Sequence, residues 1–425
     1  MALLIKDGRL ICPKNKIDGI FDILIEKQKI VSIQKEIKAE SARSIDAKGK
    51  IVSPGLIDIH THFRVPGRED EETLYTGSLA SAKGGITTVL CMPNTSPPID
   101  NRMVVGGILD EAKRVDLINI LVCGTITKER EGKEISDFGE LKEAGCVAIS
   151  DDGEPVKDSS VMRRAIEYAK MFSLLVISHC EDKDLSSYGD LHEDKISTIL
   201  GLRPISEIAE TIFVAREIEL SRYLNSHIHL SHISLARSIE LIRRAKEEKI
   251  SVSCDTCPHY FTLTNESTKT YDTNTKVNPP LRTEKDKEAI KRALKEGVID
   301  CISTDHAPHT QAEKELEFEK APFGVIGLET ALSLGITELV EKGILSLFQL
   351  IEKMSLNPAR LLGLENKGSL SEGSDADIII FDPNKEWIVK KEDFLSKSKN
   401  SPFIGWRLRG AVEYTICRGK IVYKG

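Results

Sequence analysis

Eight apolar runs alternate with amphipathic helical patterns through the middle of the chain, and short, turn-punctuated strands crowd both ends. Each apolar run finishes in polar or metal-binding residues. These observations predict an α/β fold: a (β/α)8 TIM barrel with a small β-sandwich domain formed from both termini.

The elements follow in order. Residues 1–52 read "LLIKDGRLI", "FDILIEKQKIVSI" and "SIDAKGKIVSPG", short strands joined by Gly and Asp turns. Residues 366–425 have the same texture, in "DADIIIFDPNKEWIV" and "EYTICRGKIVYKG". The two ends are therefore expected to form one β-domain, with residues 53–365 as the barrel. The barrel strands are "GLIDIHTH", "ITTVLCMPN", "INILVCGT", "CVAISDDG", "LLVISHCED", "HIHLSHIS", "ISVSCDTCPHY" and "IDCISTDHAPH". Stretches such as "ISEIAETIFVAREIELSRYL" and "EKDKEAIKRALKEG" supply helices between them. The connections near 261–281 and 307–325 are long enough to cover the barrel mouth.

Composition narrows the function. Lys and Arg number 59 against 66 Asp and Glu, a net charge of −7 over 425 residues, so no basic nucleic-acid footprint is present. "MALLIKDGRL" lacks the basic leader and apolar core of a signal peptide. No run approaches the roughly 18 apolar residues of a membrane span. The nine cysteines are scattered, and with no secretion signal they read as reduced thiols in the cytoplasm. No P-loop, G-x-G-x-x-G or G-x-S-x-G elbow occurs, which argues against NTP use, dinucleotide redox and covalent-serine hydrolysis.

The chemistry-bearing residues sit where barrel strands end, the face on which such barrels place their sites. His60 and His62 share one side of a strand by alternation. His179, His232, His306 and His309 close other runs, as does Asp305. Imidazole and carboxylate together suit zinc and similar divalent ions. A second ion needs a bridging anion, and "SDDG" offers Asp151 or Asp152, although the same four residues also describe a plain turn. His227 and His229 fall on the opposite face from His232 and read as structural. Cys254 and Cys257 lack a second C-x2-C pair and read as a buried pair. Arg64 stands at the rim, where a guanidinium can hold a carboxylate through paired hydrogen bonds. Asn94 and Asn278 stand ahead of prolines that stiffen the chain; such amides either face a ligand or shape a loop. A metal pair would activate water and polarise a carbonyl, with Asp305 moving the proton. The expected reaction is hydrolysis of an amide or its reverse.

"GLIDIHTHFRVPG", "DDG", "SHCED", "HLSHIS", "KVNPPLR" and "STDHAPH" together resemble the amidohydrolase superfamily, and most closely its class I dihydroorotases. The similarity extends over nearly the whole chain, including "GSLSEGSDADIIIFDPNKEWIV". The resemblance implies zinc-dependent interconversion of N-carbamoyl-L-aspartate and dihydroorotate in pyrimidine synthesis. It implies one metal on His60, His62 and Asp305, a second on His179 and His232, and Asp152 as their bridge. Asp305 would also be the general base and acid. Arg64, Asn94 and His309 would hold the substrate carboxylate, next to the metal ligand His62. Asn278 and the backbone at Phe323 and Gly324 would meet the ring amides. Many superfamily members bridge their metals with a carboxylated lysine, but "CVAISDDG" has none; the nearest are Lys142 and Lys157. Allantoinases and dihydropyrimidinases are the near alternatives, and Arg64 speaks against them because their rings carry no carboxylate. A non-catalytic scaffold for aspartate carbamoyltransferase is a further alternative; retention of the full ligand set favours an enzyme. Homo-oligomer formation is compatible with either reading.

Overall fold

The computed structural model describes residues 2–186 and 188–425. The N-terminal strands are β1 (Leu3–Cys12), β2 (Ile17–Glu26), β3 (Lys29–Gln34), β4 (Arg43–Asp46) and β5 (Ile51–Pro54). The barrel begins with β6 (Leu56–Thr61), β7 (Ile86–Cys91), β8 (Asn119–Gly124), β9 (Cys146–Ile149) and β10 (Leu175–His179). A two-strand excursion, β11 (Leu191–His192) with β12 (Pro204–Ile205), precedes β13 (Ile228–Ser231), β14 (Val252–Thr256) and β15 (Cys301–Ile302). The chain ends with β16 (Ile378–Ile388), β17 (Arg407–Cys417) and β18 (Lys420–Lys424).

The eight expected barrel strands are β6–β10 and β13–β15. They run parallel in chain order. The ring closes where His62 N–H donates to His306 O at 2.8 Å, beside a parallel bridge from Thr61 to His306. Ile57, Leu90, Cys123, Ala148, Ile177 and Cys301 come from six different strands yet form one cluster, which is only feasible inside the ring. Ala359 and Leu362 belong to the same cluster. The outer layer joins Val89, Val122, Ile149 and Val176 to helix residues such as Ile108, Leu141, Ile166 and Phe213. Helix boundaries follow local chemistry. In the helix Glu284–Glu296, Thr283 and Asp286 form a reciprocal capping box, and Gly297 ends it at φ +78°.

Both termini share one sheet, ordered β18-β17-β16-β5-β1-β2-β3 with β4 on β1. Strand β1 divides its partners: Leu3–Lys6 pairs with β4, and Arg9–Leu10 with β5. The division falls at a bulge between Ile5 and Gly8. A Cβ on Gly8 would lie 2.3 Å from Val52 Cγ2, so only glycine allows this close approach. The sheet thereby folds over a core of its own, with Ile5, Leu10, Ile23, Ile30, Ile378 and Ile416. Buried Asp377 fastens this sheet to the barrel: it accepts from Asn119 at 2.9 Å, Lys367 at 2.7 Å and Arg418 N–H at 2.7 Å.

Two buried lysines stitch the mouth loops together. Lys276 donates to Asp190 at 3.0 Å and Phe318 O at 2.7 Å. Lys314 donates to Thr273 O at 2.9 Å and Pro322 O at 2.8 Å. All nine cysteines are unpaired and buried. Among the described residues, no helix is long and apolar enough to cross a membrane.

Candidate metal centre and carboxylate pocket

The end of β6 aims His60 and His62 inward. Each ring is held from behind through Nδ1. His60 Nδ1 meets Ser231 Oγ at 2.8 Å, and His62 Nδ1 donates to Asn94 Oδ1 at 2.7 Å. Both Nε2 atoms therefore face the interior of the mouth. Asp305 Oδ1 lies 3.1 Å from His62 Nε2 and 3.8 Å from His60 Nε2. Asp305 and His232 adopt φ +48° and +42°, a left-handed backbone that is costly for non-glycine residues and that gathers at functional sites. The His232 backbone is pinned by its N–H donating to Asp255 at 2.5 Å.

Asp152 lies amid four imidazoles. Its Oδ1 is 3.2 Å from His60 Nε2, 3.5 Å from His179 Nδ1 and 3.6 Å from His232 Nε2; its Oδ2 is 3.6 Å from His62 Nε2. Asp151 does a different job. Its carboxylate accepts the backbone N–H groups of Ile126 at 2.8 Å and Thr127 at 3.1 Å, fixing the turn after β8. The choice left open within "SDDG" thus falls on Asp152 as the residue facing the histidines. Lys142 and Lys157 are both exposed, and Lys157 pairs with Asp184 at the surface, so neither reaches the cluster.

The donor set fits a divalent cation. His60, His62 and Asp305 form one group whose ligand atoms lie within 4.8 Å of one another, and His60, Asp152 and His232 form another. His60 Nε2 and Asp152 Oδ1 are buried with no hydrogen-bond partner, although they face each other. Orphaned polar atoms of this kind are what an ion satisfies. The electrostatics agree. Burial opposes the charged form of His60, yet Asp152, with Asp305 and Asp255 behind it, lifts its pKa to about 10. Burial likewise opposes the Asp152 carboxylate, but His60, His179 and His232 hold it well below the usual range. The site is short of positive charge.

Glu181 supports the cluster from outside. Its carboxylate is 2.9 Å from His179 Nε2, and it accepts from Asn278 at 3.0 Å and Lys183 at 3.0 Å. A carboxylate behind a ligating imidazole fixes its tautomer and orientation. The "SHCED" motif contained this signal, with Glu181 two residues past His179, but its partner Asn278 is 97 residues further on.

A cavity of about 350 Å3 opens over the cluster and is lined by Arg64, Asn94, Asn278, His309, Phe323 and Gly324 together with His62, Asp152, His179, His232 and Asp305. Every site residue expected from the sequence except His60, which is fully buried beneath, borders it. Gly324 has φ +138°, and a Cβ there would come within 2.7 Å of Ala307 Cβ, so the loop passes this close only with glycine. Some expected contact groups already have partners. The Gly324 N–H donates to Lys276 O at 2.9 Å, and Gly324 O accepts from Asn400 at 3.0 Å. Phe323 O is 2.7 Å from His309 Nε2. Arg64 is 12% exposed; its Nε lies 2.9 Å from Glu71 and its Nη2 3.3 Å from His309 Nε2.

Other histidines stand apart. His306 faces Glu72 at 3.2 Å and accepts the Gly327 N–H, sealed behind the closing bridge. His227 bonds Ser251 and Ser253, and His229 bonds Ser253. Cys254 donates to Val298 O and Cys257 meets Ser303, a buried pair with no metal geometry. A larger cavity, about 660 Å3, opens at the opposite end of the barrel beside Lys170, His227 and Arg360; it holds none of the clustered ligands.

Comparison with known proteins agrees with this geometry. Residues 51–422 match the model of the Amidohydrolase family. The dihydroorotase of Endomicrobium trichonymphae is 51% identical over 424 residues, covering 100% of both chains. That of Acetivibrio thermocellus is 51% identical over 422 residues, covering 99% of each. Among solved structures, a dihydropyrimidinase from Brevibacillus agri superposes with a TM-score of 0.88 at 26% identity, covering 100% of this chain and 95% of that one. An L-hydantoinase from Arthrobacter aurescens gives 0.88 at 27% identity, covering 99% and 96%. The chain belongs to the amidohydrolase family and, within it, to the dihydroorotases.

Proposed function

We propose that this chain interconverts N-carbamoyl-L-aspartate and (S)-dihydroorotate, the third step of de novo pyrimidine synthesis. One observation carries the reading furthest: a half-buried guanidinium, Arg64, borders the same cavity as the His/Asp cluster. The rings named for the structural neighbours, dihydropyrimidines and hydantoins, need carry no carboxylate. Dihydroorotate does, and Arg64 with Asn94 and His309 supplies donors for it.

The metal proposal is zinc, one or two ions per chain. His60, His62 and Asp305 would hold one, His179 and His232 the other, with Asp152 between them in place of a carboxylated lysine. Zinc bound there would supply Lewis-acid polarisation of the ring carbonyl and a more acidic water. The remaining steps belong to the chain. Arg64, Asn94 and His309 fix the substrate carboxylate, and Asn278 orients a ring amide. Phe323 O and Gly324 O each have a second lone pair for a ring N–H. Asp305 takes the proton of the attacking water and gives it to the ring nitrogen as the amide C–N bond breaks. Closure runs the same proton in reverse and releases water. His62 Nε2 at 3.1 Å, with His60 behind, keeps Asp305 ionised despite its burial, its pKa below the usual range.

The same reading places the enzyme in the cytoplasm, as a homo-oligomer able to dock on an aspartate carbamoyltransferase. Light scattering with and without that enzyme tests both contacts. A non-catalytic scaffold is the competing reading. The first experiment is a panel of dihydroorotate, allantoin, dihydrouracil and hydantoin on metal-replete protein, with and without chelation. Chelator-sensitive turnover of dihydroorotate alone supports the proposal. Turnover of an uncharged ring overturns the substrate, and no turnover with metal bound favours the scaffold.

A further inference from the structure

We infer that Glu71 is a positioning residue that holds Arg64 and His309 as one carboxylate-binding unit. The inference rests on the carboxylate-clamp reading above.

Glu71 lies in "REDEET", an acidic stretch that reads as solvated surface. In the fold it is only 1% exposed. Its Oε2 is 2.9 Å from Arg64 Nε, and its Oε1 is 2.8 Å from His309 Nδ1. Arg68 closes the set, with Nη2 3.1 Å from Glu71 and a second bond of 2.6 Å to Glu313. One carboxylate thus touches two residues that border the cavity and are 245 positions apart in sequence.

The geometry sets what each partner can offer a ligand. A carboxylate only accepts, so His309 must turn an Nδ1–H toward Glu71; its Nε2, 2.7 Å from Phe323 O, then donates to that carbonyl or to a ligand carboxylate only as the imidazolium, which the Glu71 charge favours. Glu71 occupies the Nε edge of Arg64, which leaves the terminal nitrogens for a ligand. Arg64 Nη2 and His309 Nε2 are 3.3 Å apart, and with the imidazolium donating, the two can meet the two oxygens of one carboxylate. Without Glu71, the hydrogen bonds left to Arg64 among the described residues are those to Pro308 O and His309, both at 3.3 Å. The guanidinium would have to be ordered at each binding event, which weakens binding without touching the reacting atoms.

The test compares Glu71→Ala, Glu71→Gln and Arg64→Met. Each is measured for kcat and KM on dihydroorotate, for binding of orotate by calorimetry, and for metal content. The loss of one charge-assisted anchor predicts that Glu71→Ala raises KM and the orotate Kd by about 10- to 100-fold, with kcat within about threefold and metal content unchanged. Glu71→Gln keeps one acceptor oxygen, so it should fall between Ala and the parent. Should Glu71→Ala fail to fold, Glu71→Gln still reads the effect. Raised KM in Arg64→Met with unchanged KM and Kd in the Glu71 variants overturns the role of Glu71 alone. Unchanged KM in Arg64→Met overturns the clamp itself. A fall in kcat or metal content without a rise in KM overturns the positioning role, because Glu71 would then act through the metal cluster.

Discussion

Replacing Asp152 by Asn tests the two halves of the proposed metal centre separately. The amide matches the carboxylate in shape but removes the negative charge that lies 3.5 Å from His179 Nδ1 and 3.6 Å from His232 Nε2. Without Asp152, one group retains three ligands, His60, His62 and Asp305, whose donor atoms lie within 4.8 Å. The other retains two imidazoles, His179 and His232, whose nitrogens are 2.9 Å apart. Three protein ligands are a common catalytic complement for zinc, and two are fewer than any such site uses. Losing even a residue behind a ligand lowers metal affinity about 10- to 100-fold, and losing a direct ligand should cost at least the upper figure, about 2.7 kcal/mol. Asp152→Asn dialysed against metal-free buffer should therefore fall from about two ions per chain to about one. Plasma emission spectroscopy on protein of known concentration reads this directly. Retention of both ions would refute Asp152 as the bridge. Loss of both would refute the division of ligands into a three-residue and a two-residue site.

Further expectations concern the proton, the substrate and pH. Asp305→Ala should lower turnover in both directions by about 10^2- to 10^4-fold while the melting temperature stays near that of the parent; activity close to normal would remove Asp305 from the mechanism. Arg64→Met should raise KM for dihydroorotate while metal content stays that of the parent, and an unchanged KM would count against carboxylate recognition. Opening creates a carboxylate and a proton, so above pH ~4 the open-to-closed ratio at equilibrium should rise about tenfold per pH unit. A ratio constant between mild acid and base would contradict a reaction of this stoichiometry. Burial, with Lys276 nearby, lowers the pKa of Lys314 to about 7 in the folded protein. Between that value and the ordinary lysine value the unfolded chain binds more protons. Stability should therefore rise with pH in this window, by at most about 1.4 kcal/mol per unit. Lys314→Met should flatten that slope in denaturant melts at pH 7.5 to 9.5, and parallel curves would show that Lys314 does not titrate there.

Much of the fold was legible because period and punctuation are local. The eight barrel strands lie where the apolar runs predicted them, and the two ends pair in one sheet. The His/Asp cluster was legible for the same reason: its members sit at the ends of apolar runs, and a parallel barrel brings all such ends to one mouth. The HxH spacing, "DDG", "SHCED" and "STDHAPH" needed only topology to become a cluster. Arg64 was visible at the rim, and its chemistry suggested a carboxylate.

What the sequence could not reveal were the partners that orient these residues, because they depend on contacts between distant segments. Nothing local distinguishes Asp151, which ties down the β8 turn, from Asp152, which faces four imidazoles. Asn94 could be named as a ligand-facing amide, but not as the acceptor behind His62. Glu71 lies among other charges in "REDEET", and only the tertiary fold buries it between Arg64 and His309. By itself the sequence determined the barrel, the His and Asp side chains of the cluster and the end of the barrel they occupy, since these follow from hydrophobic period and side-chain chemistry. Tertiary structure alone decided which carboxylate meets which ring and which polar atoms are left unpaired, since hydrogen-bond geometry inside a closed barrel is set by residues hundreds of positions apart.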